Sequence, residues 1–246
     1  DTEFVEELYR GLQEEGARHG VEIIGGDLSA SSTLMISVTL VGEVEPGRVV
    51  TRSGARPGER IWITGRLGAS AAGLAALRAG FRLRDDQVVA PSEVSADLKE
   101  AIHRAIERHL CPIPRLREGR ALAQAGVASA MIDLSDGLAL DLRHLCRESG
   151  VSARIREDQI PIDPVASAVG HYLGKEPIAM ALEGGEDFEL LFTSSSDPAE
   201  IHAILSDGID VTEVGGLEEA GRGCVLERRG GDTVPLAGGY DHFRQQ

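Results

Sequence analysis

The chain has 246 residues, 42% hydrophobic and 26% charged, ordinary proportions for one large globular domain or two modest ones. A formal charge of −15 excludes a polyanion-binding protein, because nucleic-acid affinity rests on basic surface; carboxylates that hold divalent cations can still attract nucleotide phosphates. Cys111, Cys146 and Cys224 are odd in number and far apart, which argues against a zinc site or disulfide framework and fits a reducing cytoplasm, and no apolar run has membrane-spanning length.

Val5, Leu8 and Leu12 recur at helical spacing among acids, predicting an amphipathic helix over 4–19 that stops at Gly20. Val21–Ile24 reads as a short strand ending in Gly25-Gly26-Asp27, a tight turn or an equally plausible phosphate contact. The β-branched run over 34–44 reads as a central strand, followed by a turn at Pro46-Gly47 and a strand over 48–51. The polar, turn-rich stretch 52–59 marks a domain junction, separating 1–55 from 56–246.

Beyond it, 60–64 predicts a strand and 69–79 an Ala-rich helix ended by Gly80. The Gly65-Arg66-Leu67-Gly68 connection fits neither GxGxxG nor GxxxxGK and reads as a plain turn. Loop is expected over 80–95, then helices at about 96–109 and 117–125. His103 and His109 lie six apart, off a common face, and read as solvated. Lys99 and Lys175 are the only lysines, so no P-loop lysine stands out.

Val127–Ile132 predicts a buried strand that breaks at Asp133-Leu134-Ser135-Asp136-Gly137 before a helix with Leu138, Leu142, Leu145 and Cys146 on one stripe. Asp141 reads as lying off that stripe. Ser135 and Asp136 read as an N-cap, but a cap does not need a second acid at Asp133. Two carboxylates flanking a hydroxyl beside helix N–H groups could hold a hard cation and the phosphate it neutralises. A strand over 151–156 and an irregular or short helical stretch over 158–171 follow. Acids and glycines in Gly184-Gly185-Glu186-Asp187-Phe188-Glu189 then precede a strand, and a helix over 198–206 and strands over 209–215 and 223–229 finish an α+β layer.

Gly25-Gly26-Asp27, the stretches 51–58 and 64–74, Ile132-Asp133-Leu134-Ser135-Asp136-Gly137-Leu138, Gly184–Leu190 and Gly239-Tyr240-Asp241-His242-Phe243 together resemble the thiamine-monophosphate kinase family, in its order and roughly at its spacing. The resemblance implies membership of the aminoimidazole-ribonucleotide-synthetase-like ATP-binding superfamily. The fold expected is α+β, a two-part α/β sandwich with a mixed sheet packed by helices in the C-terminal half. It implies a cytoplasmic homodimer that moves the γ-phosphoryl of ATP onto thiamine monophosphate with Mg²⁺, without nucleic-acid or membrane partners. Asp27, Asp133 and Asp136 would be metal ligands. Gly26, Asp27, Arg52 and Ser135 would contact ATP, and Glu186 and Tyr240 the thiamine phosphate. No side chain is expected to act covalently, since phosphoryl transfer asks for positioning and charge neutralisation.

The family's opening, with an Asp-Asp metal motif, has no counterpart before Asp1, so the N-terminal half is expected to be truncated. Leu28 stands where the family usually has a small hydroxyl residue, which would alter metal binding at Asp27. Two alternatives stand beside this reading: another ATP-using member of the superfamily, such as an aminoimidazole ribonucleotide or selenophosphate synthetase, and a binding fragment without turnover.

Overall fold

The computed structural model describes residues 2–205 and 208–239, and the chain forms two compact units, Asp1–Glu43 and Val44–Gln246. In the first unit α1 (Thr2–His19) forms as expected, and Gly20 ends it in the left-handed region at φ 68°. Glu15 accepts from Arg18 and pairs with His19 in the last turn.

The strands expected over 21–24, 34–44 and 48–51 are not present. A strand is stabilised only by a partner, and none of the described residues forms a ladder with these segments. Met35 and Val41 are 84% and 85% exposed, so β-propensity alone does not order this run. Thr51 makes one cross-segment bond, its carbonyl accepting from the Met131 N–H at 2.9 Å.

The second unit is built on a seven-stranded mixed sheet with the order β4-β6-β1-β7-β5-β8-β9. The strands are β1 (Arg60–Thr64), β4 (Ala130–Asp133), β5 (Ser152–Arg156), β6 (Leu190–Ser194), β7 (Val211–Glu218), β8 (Cys224–Glu227) and β9 (Thr233–Pro235). All neighbours are antiparallel except β5 and β8. The β1–β7 register shifts by one residue between Glu213 and Gly215 of β7, and a Cβ on Gly215 would collide with the Arg154 carbonyl, so the close approach of β5 to β7 depends on glycine there.

Both faces of β1 are buried, as a continuous apolar run requires. On one face Ile61 and Ile63 pack with α5 (Leu138–Ser149) and with Ala181 and Leu182 of α7 (Pro177–Glu183). On the other, Trp62 stacks with Phe192 and joins Leu122 of α4 (Leu116–Ala125) and Ile201 of α8 (Pro198–Ile204). A third apolar cluster joins α2 (Ala69–Arg78), α3 (Ala96–Leu110) and α6 (Pro164–Tyr172) around Phe81. The mixed sheet packed by helices is the architecture expected for the C-terminal half.

The stretch 80–95 is not loop throughout. It contains the hairpin β2 (Arg82–Arg84) and β3 (Gln87–Val89), turned by Asp85 and Asp86 at φ 48° and 61°. Nor is His103 solvated on all sides: its Nε2 lies 2.9 Å from Asp86 Oδ1 and its Nδ1 3.4 Å from Glu107 Oε2, latching hairpin to helix. The hydrogen bond to Asp86 raises the His103 pKa above the ordinary imidazole value. A raised pKa makes the latch stabilising below about pH 6.5 and lost as pH climbs through the folded-state value. His103→Asn should therefore lower the urea midpoint at about pH 5, by no more than about 1 kcal/mol for partners this exposed, and leave it unchanged at about pH 9. An equal loss at both pH values would count against the latch.

Candidate active site

Register brings the two acid-bearing motifs together. In the antiparallel β4–β6 pair Asp133 stands opposite Leu190, so the chain leaving β4 and the chain entering β6 emerge at one end of the sheet. The end of β1 joins them: the Leu190 N–H donates to Thr64 Oγ1 at 2.8 Å. Loops 65–68, 134–137 and 184–189 therefore converge at this end of the sheet.

Loops 134–137 and 184–189 are bonded backbone to backbone. The Leu134 N–H donates to the Glu189 carbonyl, the Phe188 N–H to the Leu134 carbonyl and the Glu186 N–H to the Ser135 carbonyl, at 2.8–2.9 Å. This closeness requires glycine. A Cβ on Gly185 would collide with the Ser135 carbonyl, and one on Gly137 (φ 101°) would press on the backbone of residues 182–184 at about 3.0 Å.

The N-cap expected from Ser135 and Asp136 is not made. Gly137 is the cap residue, with φ 101° and no side-chain hydrogen bond to the helix. Asp141 in the first turn of α5 reaches back instead, and its Oδ2 accepts from the Asp136 N–H at 3.0 Å. Contrary to expectation Asp141 is buried, because it lies three residues after Leu138 and four before Leu145, on the apolar stripe itself. Burial, helped by the charges of Asp136 and Asp133 and opposed by the pull of the Asp136 N–H, pushes its pKa up to about 6. Three carboxylates thus crowd one loop.

The acids of 186–189 divide by role. Asp187 turns inward, its two oxygens accepting from the N–H groups of Gly68 (2.7 Å) and Ser70 (3.1 Å) at the start of α2. This fills the N-terminus of α2 from a residue far away in sequence and agrees with reading 65–68 as a plain connection. Burial nonetheless pushes the Asp187 pKa up to about 7. Glu189, 3% exposed, accepts from the Arg115 guanidinium with both oxygens and from Thr64 Oγ1 at 2.8 Å. Glu186 is left outward, at φ 65°, with a half-exposed side chain.

Glu186 lines a cleft of about 1330 Å³ together with Ser135, Asp136, His109 and Gly185, with apolar side chains such as Leu74 and Met180 also in its walls. His109 is not solvated: it lies on the buried stripe of α3, three residues after Ile106, and Ser70 Oγ lies 3.0 Å from its Nδ1.

Of the expected site residues, Ser135, Asp136 and Glu186 meet at this cavity, and Asp133 ends the adjoining strand. Arg52 is not among them: its carbonyl accepts from Ser149 Oγ at the opposite end of α5. Its charge still reaches His144 on the same helix. Burial first, then the Arg147 guanidinium, lower the His144 pKa; Arg52 adds to this and Asp136 opposes it. Gly26 and Asp27 belong to the first unit, where Asp27 Oδ2 accepts from Ser29 Oγ at 3.1 Å. Tyr240 lies outside the described residues. The backbone leading to it is drawn over α5 by Arg143, which donates to the carbonyls of Leu236 and Gly238.

The AIR synthase related protein C-terminal domain pattern matches residues 56–226, and the N-terminal domain pattern of the same family matches residues 1–44. The chain is 34% identical over 243 residues to the thiamine-monophosphate kinase of Aquifex aeolicus, spanning 99% of this chain and 70% of the relative. It is 36% identical over 227 residues to that of Salmonella typhimurium, spanning 92% of this chain and 64% of the relative. The chain belongs to the thiamine-monophosphate kinase family and spans about two thirds of the length of these relatives.

Among solved structures, the Aquifex aeolicus thiamine monophosphate kinase superposes with a TM-score of 0.75 at 33% identity, covering 95% of this chain and 70% of that one. AaThiL complexed with AMPPCP and TMP superposes at 0.74 with 30% identity, covering 99% and 69%. A hydrogenase maturation protein HypE, at 19% identity, 0.54, and 82% and 59% coverage, shares the fold. No helix among the described residues is long and apolar enough to cross a membrane.

Proposed function

We propose that the protein transfers the γ-phosphoryl group of ATP to the phosphate of thiamine monophosphate, yielding thiamine diphosphate and ADP, as a cytoplasmic homodimer. In this reading residues 1–55 belong to an N-terminal ATP-binding and dimerisation domain and 56–246 form the C-terminal domain. The observation that carries it is the backbone pairing of the Asp133–Gly137 loop with the Gly184–Glu189 loop at one cavity. That pairing brings a cluster of hard oxygen donors to the group proposed to meet the acceptor. Family membership and a relative's complex with AMPPCP and TMP support the same reading.

The chain's own donors suit Mg²⁺. Asp133 and Asp136 are carboxylates, the ligand type a small hard cation prefers, and their charges add to the burial that pushes the Asp141 pKa up. Bound there, the ion would neutralise charge between the two phosphate chains. Asp133 and Asp136 would hold it, with Asp27 a further proposed ligand. Ser135 would offer a hydroxyl to ATP from the cavity wall just before α5. Arg52 adds a guanidinium suited to phosphate, and Gly26 and Asp27 complete the nucleotide contacts. Glu186 supplies an acceptor or counter-charge to the thiamine moiety, and Tyr240 a flat aromatic face.

The direct test is production of ADP and thiamine diphosphate from ATP, Mg²⁺ and thiamine monophosphate, run on this chain and on the full product of its gene. Thiamine diphosphate from the full product is the expected result. ADP formed only with a different acceptor would overturn the substrate, and nucleotide binding without ADP release would overturn the activity.

A further inference from the structure

His109 occupies the last turn of α3, its side chain 13% exposed on the cavity wall. Nδ1 lies 3.0 Å from Ser70 Oγ and 3.4 Å from Glu186 Oε2. Ser70 is itself buried, and its N–H donates to Asp187, so the hydroxyl that anchors the imidazole is fixed to the α2 N-terminus. Gly73 permits the approach: a Cβ there would collide with the Ala105 carbonyl and come within 3.0 Å of His109 Cβ. α3 therefore lies against α2 closely enough to put His109 beside Glu186.

Glu186 would otherwise be a long, half-exposed carboxylate, losing rotamer freedom whenever it met a ligand. Nδ1 stands beside both oxygens at once, hydrogen-bonded to Ser70 Oγ at 3.0 Å and in charge contact with Glu186 Oε2 at 3.4 Å. That directs the carboxylate before anything binds and lowers the entropic cost of binding.

We propose that His109, anchored by Ser70, is a positioning residue that orients Glu186 toward an acceptor substrate carrying an amine-bearing or cationic heteroaromatic ring. This rests on the reading of Glu186 as a substrate contact.

The test is calorimetric titration of thiamine monophosphate into the full gene product with Mg²⁺ and a non-hydrolysable ATP analogue present. His109→Phe keeps the ring and removes Nδ1; it should weaken thiamine monophosphate binding about tenfold, in line with loss of the contact that directs the Glu186 carboxylate, while analogue affinity stays unchanged. His109→Asn, which restores an N–H near the Nδ1 position, should recover most of the loss. His109→Phe combined with Glu186→Gln should bind no worse than Glu186→Gln alone.

Wild-type affinity in His109→Phe beside a weakened Glu186→Gln would overturn the positioning role and leave Glu186 as a contact. Wild-type affinity in both would overturn both. Equal loss in His109→Phe and His109→Asn would make the residue structural and overturn the proposal. Should His109→Phe not fold, Ser70→Ala decides: a loss of about threefold is expected from a loosened anchor, and no loss overturns the role.

Discussion

Asp133→Asn and Asp136→Asn are each expected to lower turnover by about a hundredfold or more, the scale of removing one preorganised electrostatic group from a phosphoryl or acyl transition state. Both substitutions keep shape and remove one negative charge. The hydrogen bond that organises the loop runs from the Asp136 N–H to Asp141, so it survives a change in the Asp136 side chain.

Relief of like-charge repulsion gives the substitutions a second signature. The charges of Asp136 and Asp133 both push Asp141 toward protonation, so either asparagine should let the Asp141 pKa fall from about 6 toward its ordinary value and leave the apo protein as stable as wild type or slightly more so. Steady-state kinetics and a thermal melt read the two effects separately. Lost activity with a raised or unchanged Tm fits charge placed for a ligand; near-normal activity in either variant would remove that carboxylate from the metal assignment.

Arg115→Met is expected to destabilise the fold by about 3–5 kcal/mol, the usual cost of leaving one member of a buried ion pair without its partner. Glu189 is 3% exposed, and losing the guanidinium would leave it, among the described residues, only the Thr64 hydroxyl as a side-chain donor. Arg115→Met with Glu189→Leu should recover much of that loss, because two apolar groups in the same volume leave no buried charge. Urea unfolding of wild type, the single and the double variant decides. A single-variant loss under about 1 kcal/mol would mean that water reaches Glu189 and that the pair is not structural.

The sequence was most legible where periodicity and a glycine stop agree, as at α1, α2 and α5. β1 was equally plain, because a strand buried on both faces reads as an unbroken apolar run. The run over 34–44 reads the same way yet forms no strand, since propensity cannot supply the hydrogen-bonding neighbour. The β2–β3 hairpin was hidden by its turn, made by two aspartates at positive φ where glycine or asparagine is the usual signal. α7 is seven residues long and starts at Pro177, too short to show a period.

At the site, loop composition pointed to Asp133, Ser135 and Asp136, and the family resemblance to Glu186. What could not be read was the β4–β6 register that sets two of these loops side by side, because pairing between distant strands leaves no local mark. Asp141 and His109 were open to discovery: each is a polar residue at a position where its helix's 3–4 spacing demands an apolar one. A titratable group on a buried stripe is a stronger signal than the same group on a mixed face.

The three backbone bonds between loops 134–137 and 184–189 also bear on how such a protein can change over generations. Two segments that share carbonyls and N–H groups form one inherited part. A chimera that exchanges either segment alone must rebuild the other, whereas altering the outward Glu186 side chain leaves every one of those bonds standing. Under the proposed reading of Glu186 as a substrate contact, a change of acceptor is most accessible through single substitutions at Glu186 and its neighbours on the cavity wall, with the partner loop carried along unaltered.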